Sequence, residues 1–220
     1  MQVLILLAHA DDETLGTGGT IQQLIQQGHQ VQLAIASEGI VKLRDEASDN
    51  RASLAKACQQ LGISNWVTLG LPDQQFERIP VADICRLAQP KLSIDPDLII
   101  SHSQKDLNRD HRIIAEVAHI LGRPRTKPIS LLACEIPSVT IWHGNPFHPQ
   151  FYVGLTTTQL EKKLEAFAAY KHEIRAFPDP YSLKGLRILA QNRGMESGFE
   201  AAEAFEVIRW YPQHGWKFTM

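Results

Sequence analysis

The chain has 220 residues, 44% apolar and 21% charged, which suits one sizeable α/β domain and leaves little room for two. Its net charge of -2 carries no electrostatic footprint for nucleic acid. The start, MQVLILLAHADDE, lacks a basic leader, and its apolar run is too short to span a membrane. A buried strand is expected there, in a cytoplasmic protein with no membrane insertion. Cys58, Cys85 and Cys134 stand far apart and form no metal-ligand or disulfide pattern, as buried thiols of a reducing compartment do.

In chain order, residues 2–8 form an apolar run that stops at His9-Ala10-Asp11-Asp12-Glu13, the profile of a parallel-sheet strand. GGTIQQLIQQGH predicts a helix from Gly18, with Ile21, Leu24 and Ile25 on one face and Gly28 at its stop. QVQLAIAS reads as a second strand and EGIVKLRDEASDN as a loop over the site. RASLAKACQQLG is a helix closed by Gly62, NWVTLGLPD a third strand with its turn, and ADICRLAQPKLS a helix. PDLIISHS is a fourth strand and DHRIIAEVAHILG a helix. This alternation predicts a Rossmann-like open, mostly parallel sheet flanked by helices over about residues 1–128.

From residue 129 the pattern changes. ISLLACEIP and QFYVGLT read as strands, and TTQLEKKLEAFAAYKHEI as an amphipathic helix. Its Leu160, Leu164, Phe167 and Tyr170 stripe is expected in the core, and the EKK segment at 161–163 on a solvated face. GLRILAQNRGMESGFEAAEAFEVI holds a helix, a glycine-rich turn and a final strand. No linker is visible, so 129–220 is read as a C-terminal extension completing a single domain, 1–220.

In open α/β sheets, ligands bind beyond the carboxyl ends of the strands. The first strand ends in His9, Asp11, Asp12 and Glu13, and the fourth in His102, Asp106, Asn108, Asp110, His111 and Arg112. If those strands are neighbours, imidazoles and carboxylates crowd one crevice, and a divalent cation relieves the crowding. Two histidines and a carboxylate around an open position are a common catalytic zinc set. The Asp11-Asp12 pair lets one carboxylate bind metal while the other acts as a base.

AHADDETLGTGGT resembles the A-H-P-D-D-E signature and glycine-rich helix start of the PIG-L/LmbE-like zinc de-N-acetylases. DLNRDHR resembles their second signature in its DLNxDHR branch, with weaker similarity in SEG, LGLPD and RGMESGFEAAEAF. The resemblance implies His9, Asp12 and His111 as ligands of Zn2+ or another divalent transition metal. It implies Asp11 as general base, Asp110 as a carboxylate orienting a neighbouring group, and Glu13 as a structural tie. The implied activity is removal of acetyl from an N-acetylated sugar of the N-acetylglucosamine type, by metal-activated water. The implied partner is a small N-acetyl sugar or sugar conjugate, and members often form homo-oligomers.

The sequence departs from the family pattern in three places. Ala10 replaces a proline. Asn108 stands where several members carry a histidine that stabilises the oxyanion or protonates the leaving amine. Asn108 can donate to an oxyanion but cannot deliver a proton, which leaves His102, His143 or His148 for the acid role. The family's arginine falls near Asn50 and Ser53, leaving Arg44, Arg51 and Arg112 to hold an anionic group.

Two other readings compete. One is a zinc-binding but catalytically weak member acting as a binding module, which Asn108 would suit. The other is a nucleotide-binding Rossmann protein, suggested by GTGG after the first strand and Glu38 after the second. The sixth-position glycine of that fingerprint is missing, and two aspartates would repel a pyrophosphate. His29, His119 and His214 carry no motif and read as surface or packing residues.

Overall fold

The computed structural model describes residues 1–41, 48–142 and 144–212. Arg44, His143 and His214 therefore lie outside the described residues.

Six strands and four helices occupy the first part of the chain: β1 (Gln2–Leu7), α1 (Asp12–Gln26), β2 (Gln30–Ser37), β3 (Ile40–Val41), β4 (Ser48–Asp49), α2 (Arg51–Leu61), β5 (Trp66–Leu71), α3 (Val81–Ala88), β6 (Leu98–His102) and α4 (Arg109–Leu121). Then come β7 (Ser130–Cys134), β8 (Phe151–Gly154), α5 (Thr157–Phe167), α6 (Leu183–Ser197) and β9 (Ala202–Arg209). Seven strands form one sheet in the order β5-β2-β1-β6-β7-β9-β8. The pairs from β5 through β7 are parallel, and β9 runs antiparallel between β7 and β8. The last strands thus extend the same sheet, a single α/β domain of the Rossmann-like, mostly parallel kind.

Both faces of the sheet are covered, which is why its central strands β1 and β6 read as apolar runs. Along β1, Val3, Ile5 and Leu7 enter one core with residues of α1, α2, α5 and α6, while Leu4 and Leu6 enter a second with residues of α3 and α4. All three cysteines are buried and free. The Leu160, Leu164, Phe167 and Tyr170 stripe is buried as its spacing predicts.

Three local expectations are corrected. α1 starts at Asp12, six residues before the expected Gly18, because Asp12 and Glu13 are fully buried and belong to its first turn. α5 stops at Phe167 and the following segment to Ile174 turns away. Lys163 is no part of a solvated face: it is buried, donates to the Leu15 carbonyl at 2.9 Å and pairs with Glu203 at 2.5 Å. Glu203 also accepts from the backbone N–H groups of Gly19 and Thr20, so one buried charge pair ties α5 and β9 to α1.

The glycines of α1 serve this packing. A Cβ on Gly16 would meet Ile136 and Cys134, and one on Gly19 would come within 2.5 Å of Leu155. They let α1 lie close against the sheet and α5, which accounts for the GTGG run without a phosphate.

Lys163→Ala leaves Glu203 buried without its cation. The expected loss is about 3 kcal/mol, toward the low end for a broken buried pair because two backbone amides still serve the carboxylate. Urea unfolding of the variant and the wild type checks it; a loss below about 1 kcal/mol would contradict this role.

Candidate metal centre

β1 and β6 pair directly, with Val3 opposite Leu98 and Ile5 opposite Ile100. Their carboxyl ends therefore deliver the two charged clusters to one place. The loop after β1 supplies His9 and Asp11, the first turn of α1 supplies Asp12, and the first turn of α4 supplies Asp110 and His111.

His9 Nδ1 lies 3.1 Å from His111 Nε2, and Asp12 reaches the same point with Oδ1 3.5 Å from His111 Nε2 and Oδ2 3.8 Å from His9 Nδ1. Ligand atoms about 2.0–2.1 Å from a tetrahedral Zn2+ stand roughly 3.3 Å apart. The three side chains fit such an ion, and their ligand atoms lie within 4.8 Å of one another. The remaining polar atoms of these side chains are held in place. His111 Nδ1 meets Asp106 Oδ2 at 2.8 Å, and His9 Nε2 stands 3.2 Å from both Asp110 Oδ2 and Asp73 Oδ1. Asp12 Oδ2 accepts from the His9 backbone N–H at 2.7 Å. Carboxylates behind ligating imidazoles fix the ring and its tautomer, as metal sites generally require.

The electrostatics point the same way. Burial alone pulls the His111 imidazole down, but Asp12, Asp106 and Asp110 outweigh it and hold it up at about 9. Burial pushes Asp12 up, and the facing His111, His102 and His9 overcome it and keep the carboxyl well below its ordinary range. Asp11 goes the other way: burial, then Asp12, Glu173, Glu13 and Asp73, raise it well above an ordinary carboxyl. Neighbouring carboxylates in unlike surroundings split in this manner.

Asp11 holds a strained backbone, with φ at 134°, and occupies the start of α1 without a side-chain cap bond. Its N–H donates to Glu13 Oε2 at 3.1 Å, and Tyr170 Oη donates to Glu13 Oε1 at 2.6 Å. Glu13 thus ties the strained turn to the end of the α5 segment. Gln74 is also at positive φ, 54°, and it lines the same cleft. Such strain tends to gather where the surroundings fix a functional geometry.

The cleft over these groups has a volume of about 430 Å³. Asp11, Asp12, His9, His111 and Asn108 reach it, together with Asn50, Asp73, Gln74, Glu173, Arg175 and Tyr181. That volume accommodates a small ligand. Asn108 caps α4: its Oδ1 accepts from the Asp110 N–H at 2.9 Å, which leaves its Nδ2 as the amide's donor end.

The other expected residues go elsewhere. His102 is fully buried beneath His111, stacked on it at 3.9 Å between ring centroids, and its Nε2 accepts from the Ala8 N–H. His148 is exposed and absent from the cleft lining. Arg112 donates to the carbonyls of Asp106 and Leu107, and Arg51 pairs with Asp49 on the surface. The cleft guanidinium among the described residues is that of Arg175, which no sequence motif singles out. Asp73, Glu173 and Tyr181 were missed as well. Asp73 had a signal, since LGLPD ends a strand as the two recognised clusters do. Glu173, Arg175 and Tyr181 follow α5 in irregular backbone, where no strand end marks them.

The family profile of the PIG-L GlcNAc-PI de-N-acetylases matches residues 4–120, more than half of the chain. The chain belongs to the PIG-L family. Solved structures share its fold. One is the conserved protein TT1542 from Thermus thermophilus, with TM-score 0.74 and 21% identity over 96% of this chain and 97% of that one. Another is the N,N'-diacetylchitobiose deacetylase from Pyrococcus horikoshii, with TM-score 0.73 and 18% identity over 94% of this chain and 83% of that one. A third is GalB, the 4-carboxy-2-hydroxymuconate hydratase from Pseudomonas putida, with TM-score 0.69 and 19% identity over 96% of this chain and 97% of that one. The PIG-L fold thus carries a hydratase as well as deacetylases, and the reaction has to be argued from the site. Among the described residues, no helix is long and apolar enough to cross a membrane.

A His111 held at about 9 is protonated at pH 7 and must lose that proton to ligate a metal. Zn2+ binding at pH 7 is therefore expected to release about one proton from this ring, and affinity to rise roughly tenfold per pH unit up to about pH 9. Calorimetric titration in buffers of different ionisation enthalpy measures the release. Binding without proton release would contradict the carboxylate cage around His111.

Proposed function

We propose that this protein is a metal-dependent hydrolase that removes the acetyl group from an N-acetylated sugar of the N-acetylglucosamine type. The observation that carries the reading is the His9, Asp12 and His111 donor set beside Asp11, whose carboxyl pKa is raised well above its ordinary value by burial and neighbouring carboxylates, all four opening into one cleft. The family membership and the deacetylases among its structural relatives support it.

His9 through Nδ1, Asp12 and His111 through Nε2 would hold the metal, with Asp110 and Asp73 orienting His9, and Asp106 orienting His111. A bound Zn2+ supplies Lewis acidity and a water of lowered pKa. Asp11 takes the proton of the attacking water as the new C–O bond forms at the acetyl carbon. Its raised pKa suits a group that accepts a proton and then returns it. Asn108 Nδ2 donates toward the carbonyl oxygen as that oxygen gains charge, the role of an oxyanion donor. The C–N bond then breaks, Asp11 returns its proton to the departing nitrogen, and the free amine and acetic acid leave, the acid passing its remaining proton to the amine or to solvent. One carboxyl working in both directions removes the need for a histidine at position 108.

Asp11→Asn is expected to keep the bound metal and lose turnover by about 10²- to 10⁴-fold, since the proton acceptor goes and the ligands stay. Amine release from a panel of N-acetyl sugars, with metal content measured alongside, is the assay. Full activity in the variant would refute Asp11 as the base. Silence of the metal-loaded wild type across the panel would favour a binding module instead.

A further inference from the structure

Asn50 stands at the start of α2, where an asparagine normally accepts a backbone N–H with its side chain. It makes no such cap bond. Its Nδ2 instead donates to Glu173 Oε1 at 3.0 Å, a contact between two buried side chains. That bond fixes the orientation of the amide, because the flipped form would set oxygen against oxygen. Asn50 Oδ1 is then left without a hydrogen-bond partner among the described residues, although Asn50 is only 1% exposed. A buried acceptor with no donor is unfavourable and uncommon. Asn50 and Glu173 both line the cleft over the metal centre; Asn50 Oδ1 itself is closed to solvent, so a ligand brings the missing donor with a small shift of the amide.

The charge around them decides what kind of ligand fits. Asp11, Asp12, Asp73 and Glu173 share that lining with Asn50, against the guanidinium of Arg175 and the imidazoles of His9 and His111. A helix start such as that of α2 tends to attract an anion, but here the Glu173 carboxylate is already bonded to the residue that opens it. A sugar hydroxyl is a donor and satisfies Asn50 Oδ1. A phosphate offers acceptors and charge of the wrong sign to Asn50 Oδ1 and Glu173 alike.

We propose that Asn50 and Glu173 form a specificity-determining wall that reads hydroxyl groups and selects an uncharged sugar over a phosphorylated one. This deepens the proposed deacetylation and rests on it for the sugar as occupant.

The probes are N-acetylglucosamine and N-acetylglucosamine 6-phosphate, presented to the zinc-loaded full chain. Dissociation constants come from ligand-observed NMR, beside amine release and thermal melting of each variant. The wild type is expected to bind the uncharged sugar at least about tenfold more tightly. Asn50→Ala should weaken the uncharged sugar about three- to tenfold, the worth of one hydrogen bond. Glu173→Gln keeps an acceptor for Asn50 and removes the charge, so it should narrow the gap between the two sugars about fivefold. If Asn50→Ala does not fold, Glu173→Gln carries the test alone. Equal or tighter binding of the phosphorylated sugar, no binding of either, or unchanged constants in the folded variants would overturn the proposal. Amine release with unchanged constants would remove this wall and leave the deacetylase. Loss of discrimination in the variants without any amine release would keep the wall and remove the deacetylase.

Discussion

The parallel pairing of β1 with β6 is the contact on which the site depends. Each strand is an apolar run that ends abruptly in charge, and the His9, Asp12 and His111 donor set draws on both clusters. Pairing them in register sets His9 and Asp12 beside His111. The faces of β1 alternate between two cores, so a slip by one residue would exchange Val3, Ile5 and Leu7 with Leu4 and Leu6. The cores that stabilise the fold therefore also set the distances among the His9, Asp12 and His111 donor atoms.

The cost of that arrangement is a set of buried charges that repel one another, and the structure answers it locally. His111 is wrapped by carboxylates, Asp12 by imidazoles, and Glu13 by the Tyr170 hydroxyl and the Asp11 amide. Burial holds Glu13 up at about 7 even so, against the lowering effect of those bonds. Asp11 alone of the adjacent carboxylates faces the cleft with its pKa raised and its backbone strained. A cation at the His9, Asp12 and His111 donors would relieve the repulsion and leave Asp11 as the group able to accept a proton. Further away, the Lys163–Glu203 pair holds α5 and β9 against α1, and α1 carries Asp12.

Much of this was legible in the sequence, for physical reasons. Strand-end clusters are local: His9 through Glu13 and Asp106 through His111 each sit within a few residues, next to an apolar run that betrays its strand. Asp106 was visible as part of DLNRDHR, but its bond to His111 depends on how the loop folds back to α4. The glycines of α1 suggested a phosphate loop only while their neighbours were unknown; Leu155 and Ile136 explain them. Lys163 misled because a lysine between charged neighbours normally faces water, and its partner Glu203 lies 40 residues away. Glu173, Arg175 and Tyr181 were out of reach for a similar reason. They enter the cleft from irregular backbone beyond α5, and only the tertiary packing of α5 against α1 and α2 brings them there.

Metal binding at the β1 and β6 strand ends is read by elemental analysis of the purified protein. Wild type and His111→Ala should be compared side by side after exposure to Zn2+. About one zinc per wild-type chain is expected, with its loss in the variant and the fold retained. A wild type that binds no metal, or a variant that keeps it, would rule out a metal centre built on His111.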